Sequence, residues 1–310
     1  MEPAGFCTQA RVLIVAGKGG VGKTTVAATL AHMAADAGLR ALIVEIEGKS
    51  GLGAAFGSSD ALDYEERELA PNIRARTVTP DYALVEYLEE HGLRRLGKRL
   101  VKSGALEVVS SGIPGIKDIL VLGKVKALAR EDPADVVIVD APAAGHAITF
   151  LASARGLLDA VRVGPIVEQA REVNDMLTDA AKCQVILVTL PEETPVNEVV
   201  ETAFALEDRV GIKLAPLVVN GVYPVLDLDI GAVARDGVDG TDGENLRAAA
   251  EFRLHRQALQ ASQIGRLRES LPLPQIVLPQ LFTSALGPGE LSSLAKVMAE
   301  QVALLPTVAS

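Results

Sequence analysis

The residues with the most specific chemical content lie between positions 17 and 25. Gly17-Lys18-Gly19-Gly20-Val21-Gly22-Lys23-Thr24 satisfies the phosphate-loop pattern, Thr25 follows it, and the run opens directly after a short apolar segment. Its glycines let backbone N–H groups converge on phosphate oxygens, the Lys23 ammonium reaches the β and γ phosphates, and the Thr24 hydroxyl is an oxygen ligand suited to Mg²⁺. An acid at the end of a later apolar strand should hold the other side of that metal through water. Val136-Val137-Ile138-Val139-Asp140 supplies it in Asp140. Ala141-Pro142-Ala143-Ala144-Gly145-His146 comes next, where the Gly145 N–H is placed to sense the γ-phosphate and couple its loss to movement of the segment behind.

These groups need a scaffold that gathers strand ends. Val12 to Ala16, Ala41 to Glu45, Val136 to Asp140, Val185 to Thr189 and Leu214 to Asn220 are apolar at nearly every residue, and Gln275 to Leu278 is a weaker sixth. Such runs are buried on both faces, as a parallel sheet demands. Helix-period segments separate them, among them Lys23 to Ala37, which Gly38 stops. The pattern predicts one α/β domain over 1–310 with the P-loop NTPase fold: a doubly wound, mostly parallel sheet with helices on both sides. Apolar spacing over Pro80 to Lys102 and over Gly156 to Lys182 predicts a small helical subdomain, about 80–130 and 153–183, at one edge of the sheet. Asp227 to Glu244 carries six acids, one Arg and four glycines, so 227–244 reads as a mobile solvated loop before a long helix, Asn245 to Ser270. No internal repeat is present.

Composition removes several classes of function. The 310 residues carry thirty Lys plus Arg against forty Asp plus Glu, a formal charge of −10 that opposes stable nucleic-acid binding. With no Trp, four Tyr and six Phe, stacked-base recognition also lacks its platform. The uncharged stretch Leu271 to Gly289 contains Pro272, Pro274, Pro279 and Pro288, so it cannot form a membrane-length helix. Two cysteines, Cys7 and Cys183, make no disulfide framework and no metal-ligand cluster; with no secretory signal at Met1 to Ala10, a reducing cytoplasm is the expected compartment.

The second lysine of the loop, Lys18, narrows the reading. Lys-Gly-Gly-x-Gly-Lys-Thr resembles the deviant Walker A loop of the ParA, MinD, nitrogenase-reductase and ArsA group of ATPases. That resemblance implies ATP as the nucleotide, Mg²⁺ as its metal, and a dimer in which Lys18 reaches the partner's nucleotide. A charge supplied in trans in this way, like an arginine finger, is worth ~10³ or more in rate. Asp140 to Leu151 resembles the second switch of the ArsA and guided-entry ATPases. So, in order and spacing, do Pro114-Gly115-Ile116-Lys117-Asp118, Leu190 to Pro195 and Val218-Val219-Asn220. The likeness runs from about Arg11 to about Phe282. It implies a cytoplasmic ATPase, paired with itself or with a related subunit, whose closure handles a membrane-protein client or other partner. It also implies an adenine pocket with Asn220 as its polar edge and Pro279 to Phe282 as its wall.

Departures from that family pattern mark where its details fail. The first switch usually presents an Asp that orients the attacking water; Glu47 occupies that place, and Glu45, on the same face of the strand end, competes with it. The two threonines of the second switch are replaced by Ala141 and Ala144. Two cysteines cannot build a three-thiolate arsenite site, so direct arsenite binding is not expected. Only Met176 of the four methionines falls in the helical subdomain, whereas guided-entry grooves are rich in methionine. Arg94, Arg95, Lys98, Arg99 and Lys102 read either as a solvated helix face or as a docking face for an acidic partner. Two further readings stay open: a ParA- or MinD-like spatial organiser, and a nucleotide-holding scaffold with little turnover.

Overall fold

The computed structural model describes residues 1–46, 51–90, 92, 115–131, 133–226, 241–283 and 285–306. Eight strands form one sheet: β1 Val12–Gly17, β2 Ala41–Ile46, β3 Arg67–Ala70, β4 Ile73–Val78, β5 Val136–Ala143, β6 Cys183–Thr189, β7 Leu217–Val222 and β8 Gln275–Pro279. Their order is β3-β4-β2-β5-β1-β6-β7-β8. Every pairing is parallel except the edge strand β3, which runs antiparallel to β4. The helices in chain order are α1 Pro3–Cys7, α2 Lys23–Asp36, α3 Gly51–Ala55, α4 Pro80–Glu90, α5 Ile116–Glu131, α6 Ala144–Ala160, α7 Pro165–Thr178, α8 Glu193–Val210, α9 Thr241–Ser270 and α10 Pro288–Ala303.

Two apolar layers sandwich the sheet. On one face Leu13, Val15, Ile43 and Ile138 pack against α2 and α10 through Val26, Leu30, Leu291 and Leu294. On the other Val12, Ile14, Val44 and Val139 meet α5, α6, α7 and α8 through Leu122, Leu151, Val173 and Leu206. Because side chains alternate along each strand, the continuous apolar runs are what a sheet covered on both sides requires. β1 and β2 are buried along their full lengths.

Three features depart from the sequence reading. β3 and β4 were not among the expected strands: β4 carries Arg74 and Arg76 at alternate positions, and β3 is a half-exposed edge, so neither presents a continuous apolar run. The helices of the expected subdomain do not sit beside an edge. α5, α6 and α7 lie across one face of the sheet and share its core, while α4 packs on α5 through the small cluster Ala83, Leu84, Ile116 and Leu120. Finally, the expected helix from Gly156 is two helices, broken at Gly164, whose positive φ of 120° precedes Pro165. The acidic stretch 227–240 and the cations at 94–102 lie outside the described residues, and α9 already begins at Thr241. No helix among the described residues is long and apolar enough to cross a membrane.

Candidate active site

The loop between β1 and α2 is built by close backbone approach. Gly17 ends β1 beside Val188 of β6, and a Cβ there would stand 2.3 Å from the Val188 carbonyl oxygen. Gly22 caps α2 in the left-handed region at φ 89°, where a Cβ would also meet Asn220 Nδ2 at 2.3 Å. These constraints aim the N-terminus of α2 at the ends of the central strands. Lys23 is buried and its ammonium donates to the Lys18 carbonyl at 3.0 Å, so the side chain lies folded back along the loop.

Asp140 comes to the same place from β5, the strand next to β1. It is fully buried, and its Oδ2 accepts a hydrogen bond from Thr24 Oγ1 at 2.6 Å. A hydroxyl and a carboxylate in contact are hard oxygen donors of the kind Mg²⁺ selects, and Mg²⁺ commonly takes only one or two protein ligands beside phosphates and water. No group of three or more His, Cys, Asp or Glu suited to a metal occurs among the described residues. Beyond Asp140 the strand runs straight into α6, which places Gly145 and His146 in that helix's first turn.

Glu45 faces this pair. It is the register partner of Asp140 on β2 and of Thr77 on β4, which puts all three side chains on the face covered by α2. Glu45 is fully buried, and the Thr77 hydroxyl donates to its Oε2 at 3.2 Å. Glu47, the other acid weighed for the water-orienting role, lies outside the described residues.

The expected adenine site is a cleft of about 340 Å³ lined by Gly20, Gly22, Thr25, Asn220, Pro279 and Leu281, among others. Asn220 Nδ2 donates to the Val21 carbonyl at 2.9 Å, tying the end of β7 to the phosphate loop. Phe282 stands apart from the rest of the expected wall. It is 69% exposed and lies outside the cleft's lining, with its ring edge-on to Tyr223 at 5.4 Å and the Arg253 guanidinium 4.9 Å from its centroid. The other residues of that segment, Pro279, Gln280 and Leu281, do line the cleft.

Lys18 takes a different course from Lys23. Its ammonium forms an ion pair with Glu198 of α8 in the same chain. Glu198 was not singled out in the sequence, where it is one acid among forty; its proximity to the loop depends on how α8 packs. Gln260, likewise unanticipated, is a buried side chain that accepts from Tyr223 N–H at 2.8 Å and donates to the Gly221 carbonyl at 3.2 Å, bracing the cleft from behind.

With this geometry in place, comparison with known proteins is decisive. The family model for the anion-transporting ATPases, ArsA, matches residues 10–163, a stretch that contains the phosphate loop, Asp140 and α6. The chain belongs to the ArsA ATPase family. It is 28% identical to ATPase BagA of Mycobacterium tuberculosis over 321 residues, covering 94% of this chain and 93% of that one. It is 28% identical to the arsenical pump-driving ATPase of Escherichia coli, over 70% of this chain and 35% of the other. ATPase get3 of Schizosaccharomyces japonicus is 29% identical across 52% of each chain. The fold is accordingly the α/β P-loop fold of that family, and the protein is a nucleotide-binding ATP hydrolase.

Proposed function

We propose that the protein hydrolyses MgATP as a two-subunit assembly, each subunit lending Lys18 to the triphosphate bound by the other. The second subunit is a copy of this chain or a related ATPase. The observation that carries the reading is the contact between Thr24 and buried Asp140 directly under the glycine loop, because it brings the phosphate side and the metal side of a nucleotide site to one point. Loop amides and Lys23 hold the phosphates, and Thr24 with Asp140 hold the cation, the latter through water. Bound Mg²⁺ offsets charge on the β and γ phosphates. Glu45 or Glu47 orients the attacking water. Asn220 and the β8 end enclose the adenine.

Hydrolysis is transmitted through α6. That helix starts at the phosphate-sensing end of β5 and packs on α5, α7 and α8, so a shift of Gly145 moves the helical layer. The layer passes the movement to a partner, for which a membrane protein is the best-supported class: the Escherichia coli relative bears the name of a pump-driving ATPase. Direct arsenite capture has no support, since Cys7 and Cys183 are buried in separate core layers and burial pushes both thiols up to about 12. We place the reaction in the cytoplasm, where ATP is abundant and thiols stay reduced.

The test is Lys18→Ala. Nucleotide affinity is expected to stay within several-fold while phosphate release falls by ~10² or more, because only the contact across the interface is removed. Equal losses of binding and turnover would refute the crossing role.

A further inference from the structure

In the single subunit the ammonium of Lys18 is already occupied. Its partner, Glu198, is 180 residues away in sequence and is delivered by α8, so tertiary structure rather than local chain geometry makes the contact. α8 is itself pinned at that end. Arg256 of α9 bonds Glu192 at 3.0 Å, and Arg266 donates to Asn197 Oδ1 at 2.7 Å and to the Glu193 carbonyl at 3.2 Å. Glu198 follows one residue after Asn197, on a helix turn whose position these contacts set. Its Oε2 is buried and accepts no hydrogen bond among the described residues, which leaves the carboxylate oriented toward Lys18.

We propose that Glu198 is a positioning residue for Lys18, a same-chain counter-ion that holds the lysine back until a partner's nucleotide replaces it. The inference rests on the crossing role of Lys18 proposed above. The side chains of the pair are 43% and 35% exposed, and ion pairs at that exposure are weak, so the hold is readily broken. A triphosphate carries several negative charges against the one of a carboxylate, and Coulomb attraction therefore favours exchange once a second loaded subunit approaches. An empty partner offers no such charge. Glu198 thereby makes closure conditional on nucleotide in the facing subunit.

The experiment is a double-mutant cycle on the full chain, with Glu198→Gln, Lys18→Ala and the pair combined. Self-association is measured by sedimentation in a non-hydrolysable ATP analogue with Mg²⁺, and phosphate release is measured across protein concentrations. Glu198→Gln is expected to lower the concentration for half-association by about threefold at low salt. It should raise turnover to a similar extent below saturation, and the gain should vanish at high salt. Affinity of the dilute subunit for ADP should not move. In the Lys18→Ala background Glu198→Gln should change nothing. Unchanged or weakened association in Glu198→Gln, or an equal shift with Lys18 absent, overturns the proposal. Full turnover in Lys18→Ala alone would instead sink the crossing role on which it rests. Thermal unfolding of each variant separates these outcomes from misfolding, and Glu198→Lys, which repels Lys18, should reproduce the gain if the first substitution fails to fold.

Discussion

The phosphate loop and the layer formed by α4, α5 and α7 are held by different means. Around the loop, Lys23 is fixed on a carbonyl, Thr24 on buried Asp140 and Asn220 on the loop backbone. In the helical layer, α5 and α7 join the main core through Leu122, Val125, Val173 and Leu177, while α4 is attached through the small cluster Ala83, Leu84, Ile116 and Leu120, with Lys124 bonded to Glu86 at 2.6 Å and Lys126 to Glu172. Large continuous cores open only with the whole fold, whereas small clusters can separate locally. The contrast therefore falls between α4 and the rest of the fold, since among the described residues only α4 depends on a cluster that can separate by itself.

The difference predicts an order of effects. Asp140→Asn keeps the shape and the Thr24 contact but removes the charge opposite the cation, so ATP turnover should drop by ~10² to 10³ with little change in melting temperature. Retention of more than a tenth of the turnover would show that Asp140 is not the metal-side acid. For stability, Ile138→Ala in the central strand should cost about 3–5 kcal/mol, and Leu84→Ala in the α4 cluster about 2 kcal/mol or less, as read from urea unfolding. Equal costs would mean the helical layer is no looser than the core.

The smallest effect sits on the α5–α7 ion pair. A hydrogen bond from Lys126 holds the Glu172 carboxyl below its ordinary range, opposed by partial burial. A folded pKa lower than the unfolded one adds stability above the usual carboxylate range and loses it as pH falls through the folded value. Glu172→Gln should therefore destabilise by no more than about 1 kcal/mol at pH 7, a difference that disappears in acid. Following the two proteins' thermal unfolding from pH 7 into acid checks this, and a penalty that does not shrink as the pH falls would assign Glu172 a packing role instead.

How much of this was legible in the sequence follows from which residues act locally. Gly17 to Thr24 could be read directly, because the loop's chemistry lies in consecutive residues and a Cβ at Gly17 or Gly22 would collide with Val188 or Asn220. Asp140 could be read because a run of four apolar residues announces the strand that ends in it. β4 could not, since its arginines interrupt the apolar pattern and are accommodated by partners outside the strand: Arg74 pairs with Glu66, and Arg76 lies 3.5 Å from Glu66 and over the Tyr64 ring. The turn of Phe282 away from the cleft depends on Tyr223 and Arg253, which arrive from β7's end and from α9. Glu198 was hidden for the same reason: the fold, not sequence neighbourhood, joins it to Lys18.

The bond from Asn220 to the Val21 carbonyl carries a kinetic consequence. It fastens the end of β7 to the phosphate loop before any ligand arrives, so capture of a nucleotide need not freeze a floppy loop, and the entropy of ordering that segment is lost during folding instead of at the encounter. Loading should then be limited mainly by how fast ligand diffuses in rather than by ordering of the loop.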